Sequence, residues 1–289
     1  MEVVRIATPE EFLATTEAYR LAEPVRTNIL SSVATAVAGG DRTYDAYFWW
    51  AVLDDADQCA GAAFRTAPFG LHLGPMPREA LPYVALAVAD HDDTFPWVVG
   101  SHDAVASFLE AYAEGTSAGS TRCFVRGLKS LLYELDELRV PLVEGSCRVA
   151  TLDDIDLVAQ WTREFQAFTG TPPTTDERER EFLVARLTAA SLRLWTVGGT
   201  PVAMAGHAPT ITTPSGPITR IGPVFTPEEW RAHGYGSGVT AALCEELVSR
   251  GSRVILYADA DYPTSNRVYQ RLGFREMDEL IEYDGHRES

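Results

Sequence analysis

The sequence predicts a mixed α/β protein in which one domain plan is written twice. Three observations carry that prediction. Short apolar runs of strand character alternate with helical periodicities along the whole chain, as in sheets covered by helices. A length of 289 residues suits two domains of ordinary size, and 46% hydrophobic residues supply real cores. Local patterns also recur in the same order at a slowly growing spacing. Arg5-Ile-Ala-Thr8 returns as Arg148-Val-Ala-Thr151, 143 positions later; Trp50-Ala-Val52 returns as Trp195-Thr-Val197 and Gly61 as Gly206, 145 later; Gly74-Pro75 returns as Gly222-Pro223, 148 later. Small loop insertions produce such drift.

In the first half, Thr8 and the acid three residues on, Glu11, form an N-terminal helix signal, as Thr151 and Asp154 do in the second. Glu10 to Ala38 reads as one or two helices interrupted at Glu23-Pro24. Tyr47 to Leu53 and Gly61 to Phe69 read as strands joined by an Asp-rich turn. That turn lacks the glycine and terminal glutamate of a calcium loop. Ser101 to Ala113 reads as a helix and Leu131 to Leu135 as a strand. His91, His102, Asp92, Asp93 and Asp103 fall in loop and helix-cap context, so no metal site is expected.

Glu137 to Gly145, with Pro141, reads as a linker between domains at 1–140 and 146–289. In the second half Ile155, Val158, Trp161 and Phe165 share a helical face that ends at Thr169-Gly-Thr-Pro-Pro. Glu177 to Ala190 reads as a second helix, and Leu192 to Val197 and Pro201 to Ile211 as strands. The turn Pro214-Ser-Gly-Pro217 leads to the strand on which the remainder depends.

That strand ends in Gly222-Pro223-Val224-Phe225 and stops at Thr226-Pro227. Then comes Arg231-Ala-His-Gly234-Tyr-Gly236-Ser-Gly238, and a helix expected directly afterwards with Val239, Leu243 and Leu247 on one stripe. Glycines let backbone N–H groups crowd together. A helix N-terminus adds free donors and a positive dipole end, and an arginine adds a planar cation, so the stretch suits a phosphate or pyrophosphate. A glycine-rich turn capping a core helix is the other reading. Neither familiar nucleotide motif fits: the P-loop lysine is missing, and the glycines run G-x-G-x-G where the dinucleotide motif needs G-x-G-x-x-G. A further strand, Val254 to Ala258, precedes a short helix ending at Gly273, with Thr264 or Ser265 as its N-cap, Asn266 and Tyr269 on one face, and Val268 and Leu272 toward the core.

Arg231-x-x-Gly234-x-Gly236 after a strand, followed after another strand by Asn266 to Phe274 with its Leu-Gly-Phe ending, resembles the GNAT superfamily of N-acetyltransferases. The resemblance implies two GNAT-like domains in tandem, each a central mixed, mostly antiparallel sheet flanked by helices. It also implies acetyl-CoA as co-substrate. Pro223, Val224 and Phe225 would meet its pantetheine arm, and the loop Arg231, Ala232, His233, Gly234, Tyr235, Gly236, Ser237 its pyrophosphate. Asn266 would contact the cofactor arm and Tyr269 would act as general acid. His207, on a strand beside the implied acceptor pocket, is a candidate base, with water through a carboxylate as the equal alternative. The implied reaction is direct attack of a primary amine, most simply of a small molecule; a peptide or protein amine, or a CoA-binding module without catalysis, are the alternatives. The first half has no R-x-x-G-x-G, so it is expected to have lost cofactor binding.

A net charge of −17, with Lys129 the only lysine, argues against a nucleic-acid partner. Cys59, Cys123, Cys147 and Cys244 show neither metal-site nor disulfide-framework spacing. No secretory signal or membrane-length apolar run is visible, so a cytoplasmic protein without a membrane partner is expected, and a homodimer is plausible.

Overall fold

A computed structural model of the chain describes residues 1–91, 95–115, 122–172 and 175–287. The chain divides into two compact units. One comprises residues 1–131 with 259–261 and 278–289, the other residues 132–258 with 262–277.

The first unit runs β1 (Glu2–Ile6), α1 (Pro9–Thr15), α2 (Glu17–Ala22), α3 (Asn28–Ala38), β2 (Ala46–Leu53), β3 (Cys59–Ala67), β4 (Leu71–Leu73), α4 (Leu81–His91), β5 (Trp97–Gly100), α5 (His102–Gly115) and most of β6 (Arg122–Leu135). The Thr8 side chain accepts from Glu11 N–H at 3.2 Å and starts α1, as the sequence indicates. The helical stretch to Ala38 breaks twice, not once. Besides Pro24, the Thr16 hydroxyl bonds back to Phe12 O at 2.6 Å and separates α1 from α2. β2 pairs antiparallel with β1 and β3, and β4 pairs parallel with β5. Both faces of this sheet are covered, which explains why Trp49 and Trp50 are adjacent and fully buried. Trp49 packs with Phe12 and Leu30 on one face, and Trp50 with Phe95 and Phe108 on the other. At the Asp-rich turn, Asp54 Oδ1 accepts from Ala56 N and Gln58 N, an Asx turn with no call for an ion. Of the histidine–aspartate set considered for a metal, Asp92 and Asp93 lie outside the described residues. Among the described residues no group of three or more His, Cys, Asp or Glu gathers to hold a metal, and no helix is long and apolar enough to cross a membrane.

The second unit repeats this order: β7 (Ser146–Val149), α6 (Ile155–Thr169), α7 (Asp176–Thr188), β8 (Leu192–Val197), β9 (Thr200–His207), β10 (Ile218–Phe225), α8 (Tyr235–Ser249), β11 (Arg253–Asp259), α9 (Pro263–Leu272) and the start of β12 (Phe274–Arg287). β7, β8, β9 and β10 pair antiparallel in sequence, while β10 and β11 run parallel. Thr151 and Asp154 form the reciprocal cap expected from the sequence, and Arg148 clamps the Asp154 carboxylate with two bonds of 2.7 Å. Those bonds hold Asp154 below its ordinary range. α6 packs Val158 and Trp161, with Leu183 and Leu187 of α7, against Leu192, Leu194, Met204 and Phe225. α6 ends where the sequence indicates, at Gly170 in the left-handed region (φ 69°).

Candidate active site

The site is built where β10 parts from its neighbours. The parallel ladder with β11 runs from Ile218–Arg253 to Ile221–Leu256 and stops, although both strands continue. On the other side β10 stays with β9, but Ile221 faces His207 and Val224 faces Ala205, so Gly222 and Pro223 together oppose Gly206 alone. This is a β-bulge. Pro223 has no N–H for either ladder, and Gly222 has no side chain to obstruct the bend.

Arg186 of α7, absent from the sequence reading, stabilises the bulge. Its Nη2 donates to His207 O at 3.0 Å and to Gly222 O at 3.2 Å. A Cβ on Gly206 would lie 2.3 Å from that same Nη2, so glycine there makes room for the guanidinium. The signal in the sequence was Gly206 itself; nothing local paired it with an arginine twenty residues upstream. Arg186→Met removes the donor shared by both carbonyls and is expected to lower stability by about 1–3 kcal/mol. A urea midpoint unchanged from wild type would sink that expectation.

Beyond Phe225 the chain turns through Thr226 and Pro227 and a single 3-10 turn, Glu228–Trp230. It then passes Ala232 (φ 65°) and Gly234 (φ 83°), both left-handed. The expected helix begins earlier than the sequence suggested. Gly234 is the N-cap of α8, and Gly236 and Gly238 lie in its first turn, not in the loop before it. Their smallness serves close approach instead. A Cβ on Gly236 would meet Thr226 Oγ1 at 3.1 Å, and one on Gly238 the Trp195 ring at 3.0 Å. The intrahelical ladder opens with Gly238 N–H to Gly234 O, so the N–H groups of Tyr235, Gly236 and Ser237 precede it at the N-terminal end of the helix, the end whose dipole suits an anion. Arg231 is exposed beside this end, its Nε donating to Thr226 O at 3.1 Å. His233 stacks on Tyr235 at 5.3 Å and bonds Arg231 O through Nδ1.

α9 carries the other two candidates. Its N-cap is Tyr262, not Thr264 or Ser265, because Pro263 takes the first helical position. The Ser265 hydroxyl instead donates back to Tyr262 O at 3.0 Å. Asn266 and Tyr269 are both buried on one face, as their spacing required, and Leu272 is buried while Val268 is only half-buried. Asn266 accepts from Tyr133 Oη at 3.2 Å and donates to Tyr262 O at 3.1 Å, so its amide orientation is set by two partners. Burial first, and then the nearby Cys244 thiol, push the Tyr269 phenol up to about 12.

His207 is on a strand as expected, the last residue of β9, paired with Ile221 beside the bulge. Strand alternation puts it on the face of β9 shared with Ala205, whose neighbour Arg193 bonds Glu246 of α8 at 2.6 Å and 2.8 Å. Gly206 is the residue facing α7. His207 thus lies on the sheet face that α8 covers, while Phe225 packs with α6 and α7 on the opposite one. Its Nδ1–H donates to Ala208 O at 2.9 Å, and burial above all keeps its proton affinity below the ordinary histidine value.

In the first unit the corresponding place is closed. β4 and β5 pair at Leu71–Val98 and His72–Val99, and their last residues remain close, since a Cβ on Gly100 would lie 3.1 Å from Leu73 Cβ. The Tyr19 hydroxyl donates to Pro75 O at 2.7 Å, and the chain reaches α4 through Pro77 and a 3-10 turn, Arg78–Ala80, that contains no glycine.

Residues 207–281 match the family described as FR47-like protein, a segment that contains every candidate from the bulge to α9. Comparison with curated proteins finds no match. Solved structures similar over nearly the whole chain include a GCN5-related N-acetyltransferase from Sphaerobacter thermophilus (TM-score 0.67, 16% identity, 99% of this chain and 96% of that one). A GNAT-family acetyltransferase from Colwellia psychrerythraea is similar at TM-score 0.61 and 10% identity, over 99% of this chain and 100% of that one. A tandem GNAT protein from the clavulanic acid biosynthesis pathway is similar at TM-score 0.61 and 12% identity, over 99% of this chain and 98% of that one.

Proposed function

We propose, for a chain that has the GNAT fold in tandem and an FR47-like segment in its second half, that it is an acetyl-CoA-dependent N-acyltransferase acting on a primary amine of a small molecule. The observation that carries the proposal is the parting of β10 from β11 after Ile221–Leu256, directly followed by the N-terminus of α8. Such an opening has unladdered backbone on one wall and helix N–H donors at its mouth, which suits an extended amide-bearing arm ending in a pyrophosphate.

The residues fit that group. Val224 and Phe225, on the strand past the bulge, offer backbone donors and acceptors for the pantetheine amides; Pro223 has no N–H and gives the bend. The loop Arg231, Ala232, His233, Gly234 and the first turn Tyr235, Gly236, Ser237 would hold the pyrophosphate, and a side chain at Gly236 would crowd Thr226. Asn266, fixed by Tyr133 and Tyr262, would contact the arm. When bound, acetyl-CoA supplies an acetyl group activated as a thioester.

The rest of the chemistry is proton traffic. The attacking amine must arrive without its extra proton, forming the C–N bond as the C–S bond breaks. Tyr269 Oη would give its proton to the departing sulfur and would be reprotonated from solvent. A phenol held near 12 keeps its proton at neutral pH but is a weak acid beside a thiolate, so its transfer requires a leaving sulfur desolvated in the same buried surroundings, where burial raises the thiol as well. The amine proton would pass to water through a carboxylate or to His207, the two candidates for the base.

Calorimetric titration with acetyl-CoA tests the reading. One site per chain is expected, because the first unit's counterpart is closed, and Arg231→Ala is expected to weaken binding about tenfold by removing a charge-assisted contact. Two sites would overturn the closed first unit. No heat and no protection against thermal unfolding would overturn the reading itself.

A further inference from the structure

We propose that Phe168, at the end of α6, is a positioning residue that holds Arg231 flat for the pyrophosphate. The inference rests on the acetyl-CoA reading above. Phe168 is 54% exposed, so core burial does not account for a phenylalanine there. Its ring lies under the Arg231 guanidinium, Cζ to centroid 5.6 Å. It also meets Tyr262 in a T-shaped contact, centroids 5.4 Å apart at 76°. The Tyr262 backbone is held at the start of α9, where its carbonyl takes bonds from Ser265 and Asn266. An aromatic braced on α9 therefore presents its face to the arginine of the α8 loop.

Two contacts restrict one guanidinium. The Nε–H is spent on Thr226 O at 3.1 Å, and the Phe168 ring lies against the group at 5.6 Å. The Nη hydrogens are then the ones a phosphate oxygen would use, along the edge of the plane and not across its face. An exposed arginine otherwise samples many rotamers, and ordering it on binding costs affinity. Phe168 reduces that cost before the ligand arrives. Sequence position conceals the arrangement, since sixty-three residues separate Phe168 from Arg231.

The test is the dissociation constant of two probes, acetyl-CoA and acetyl-pantetheine, which lacks the pyrophosphate. Phe168→Ala is expected to weaken acetyl-CoA roughly threefold to fivefold, the size of an exposed cation–π contact. Acetyl-pantetheine should bind the variant as it binds wild type. Phe168→Tyr should restore acetyl-CoA affinity, and Phe168→Ala should add nothing in an Arg231→Ala background. If Phe168 merely secured the end of α6, both probes would weaken and the loss would persist without Arg231; either result overturns the proposal. Unchanged acetyl-CoA affinity in Phe168→Ala overturns it too, while leaving the functional reading intact. Wild-type protein that fails to bind acetyl-CoA removes both.

Discussion

Tyr269→Phe is expected to reduce kcat by roughly 100-fold or more, the usual worth of a positioned general acid, while acetyl-CoA affinity stays within about twofold. The ring keeps its place, because Tyr269 is buried between Tyr133 and Phe274, with centroids at 6.4 Å and 5.9 Å, and phenylalanine retains both contacts. Only the proton donor is removed. The pH dependence has a definite sign. Burial raises the phenol to about 12, so the acid stays loaded throughout the neutral and mildly alkaline range. The wild-type rate should therefore show no Tyr269-dependent fall below about pH 10, the ordinary tyrosine value. The same shift bears on stability. The folded chain holds this proton more tightly than the unfolded one, so its contribution is complete below about pH 10 and is lost as the pH rises toward 12. Stopped-flow or steady-state rates for the variant, once an amine is in hand, decide the matter. A phenylalanine variant with full kcat would remove Tyr269 from the mechanism and leave water as the donor.

Gly273→Ala is expected to destabilise the chain by about 3 kcal/mol or more, the largest effect of any single methyl considered. Gly273 closes α9 at φ 101°, a conformation alanine adopts only under strain. A Cβ there would also lie 1.8 Å from Glu137 O, and a backbone carbonyl cannot swing aside as a long side chain can. The carbonyl is held in turn, because Asp136 N–H donates to Gly273 O at 3.1 Å and Arg139 N–H to Leu272 O at 2.9 Å. Strain and overpacking therefore add. Chemical unfolding should show the midpoint falling with little change in slope; a shift below 1 kcal/mol would show that the 136–139 segment yields. The result bears on function as well, since α9 carries Asn266 and Tyr269.

How much of this was readable from the sequence follows the range of the interactions involved. Periodicity and caps are local, so α6, α7, the strand 192–197 and the Thr151–Asp154 cap stand where the residues indicate, whereas the strand expected over 201–211 ends at His207. The repeat was legible for the same reason, since Arg5, Trp50 and Gly61 fall in β1, β2 and β3 as Arg148, Trp195 and Gly206 fall in β7, β8 and β9, while Gly74 directly follows β4 and Gly222 lies inside β10. The candidate stretch was legible because its glycines, arginine, asparagine and tyrosine are unusual together. Element ends were less so. Gly234 caps α8 four residues before the glycine run finishes at Gly238, and Pro263 displaces the capping role that Thr264 and Ser265 suggested. Both depend on neighbours, Thr226 and Trp195 in one case and the turn at Tyr262 in the other.

The sequence by itself determined the order of elements, the duplication and which residues crowd one end of a helix, because these rest on steric and hydrogen-bonding preferences within a few residues. Tertiary structure alone decided three things. It closed the first unit at Gly100 and Leu73, it set His207 on the α8 face through the register of β9, and it brought Arg186 to the bulge and Phe168 to Arg231. Each is a contact between elements far apart in the chain, where strand register and helix packing, not local propensity, choose which side chains meet.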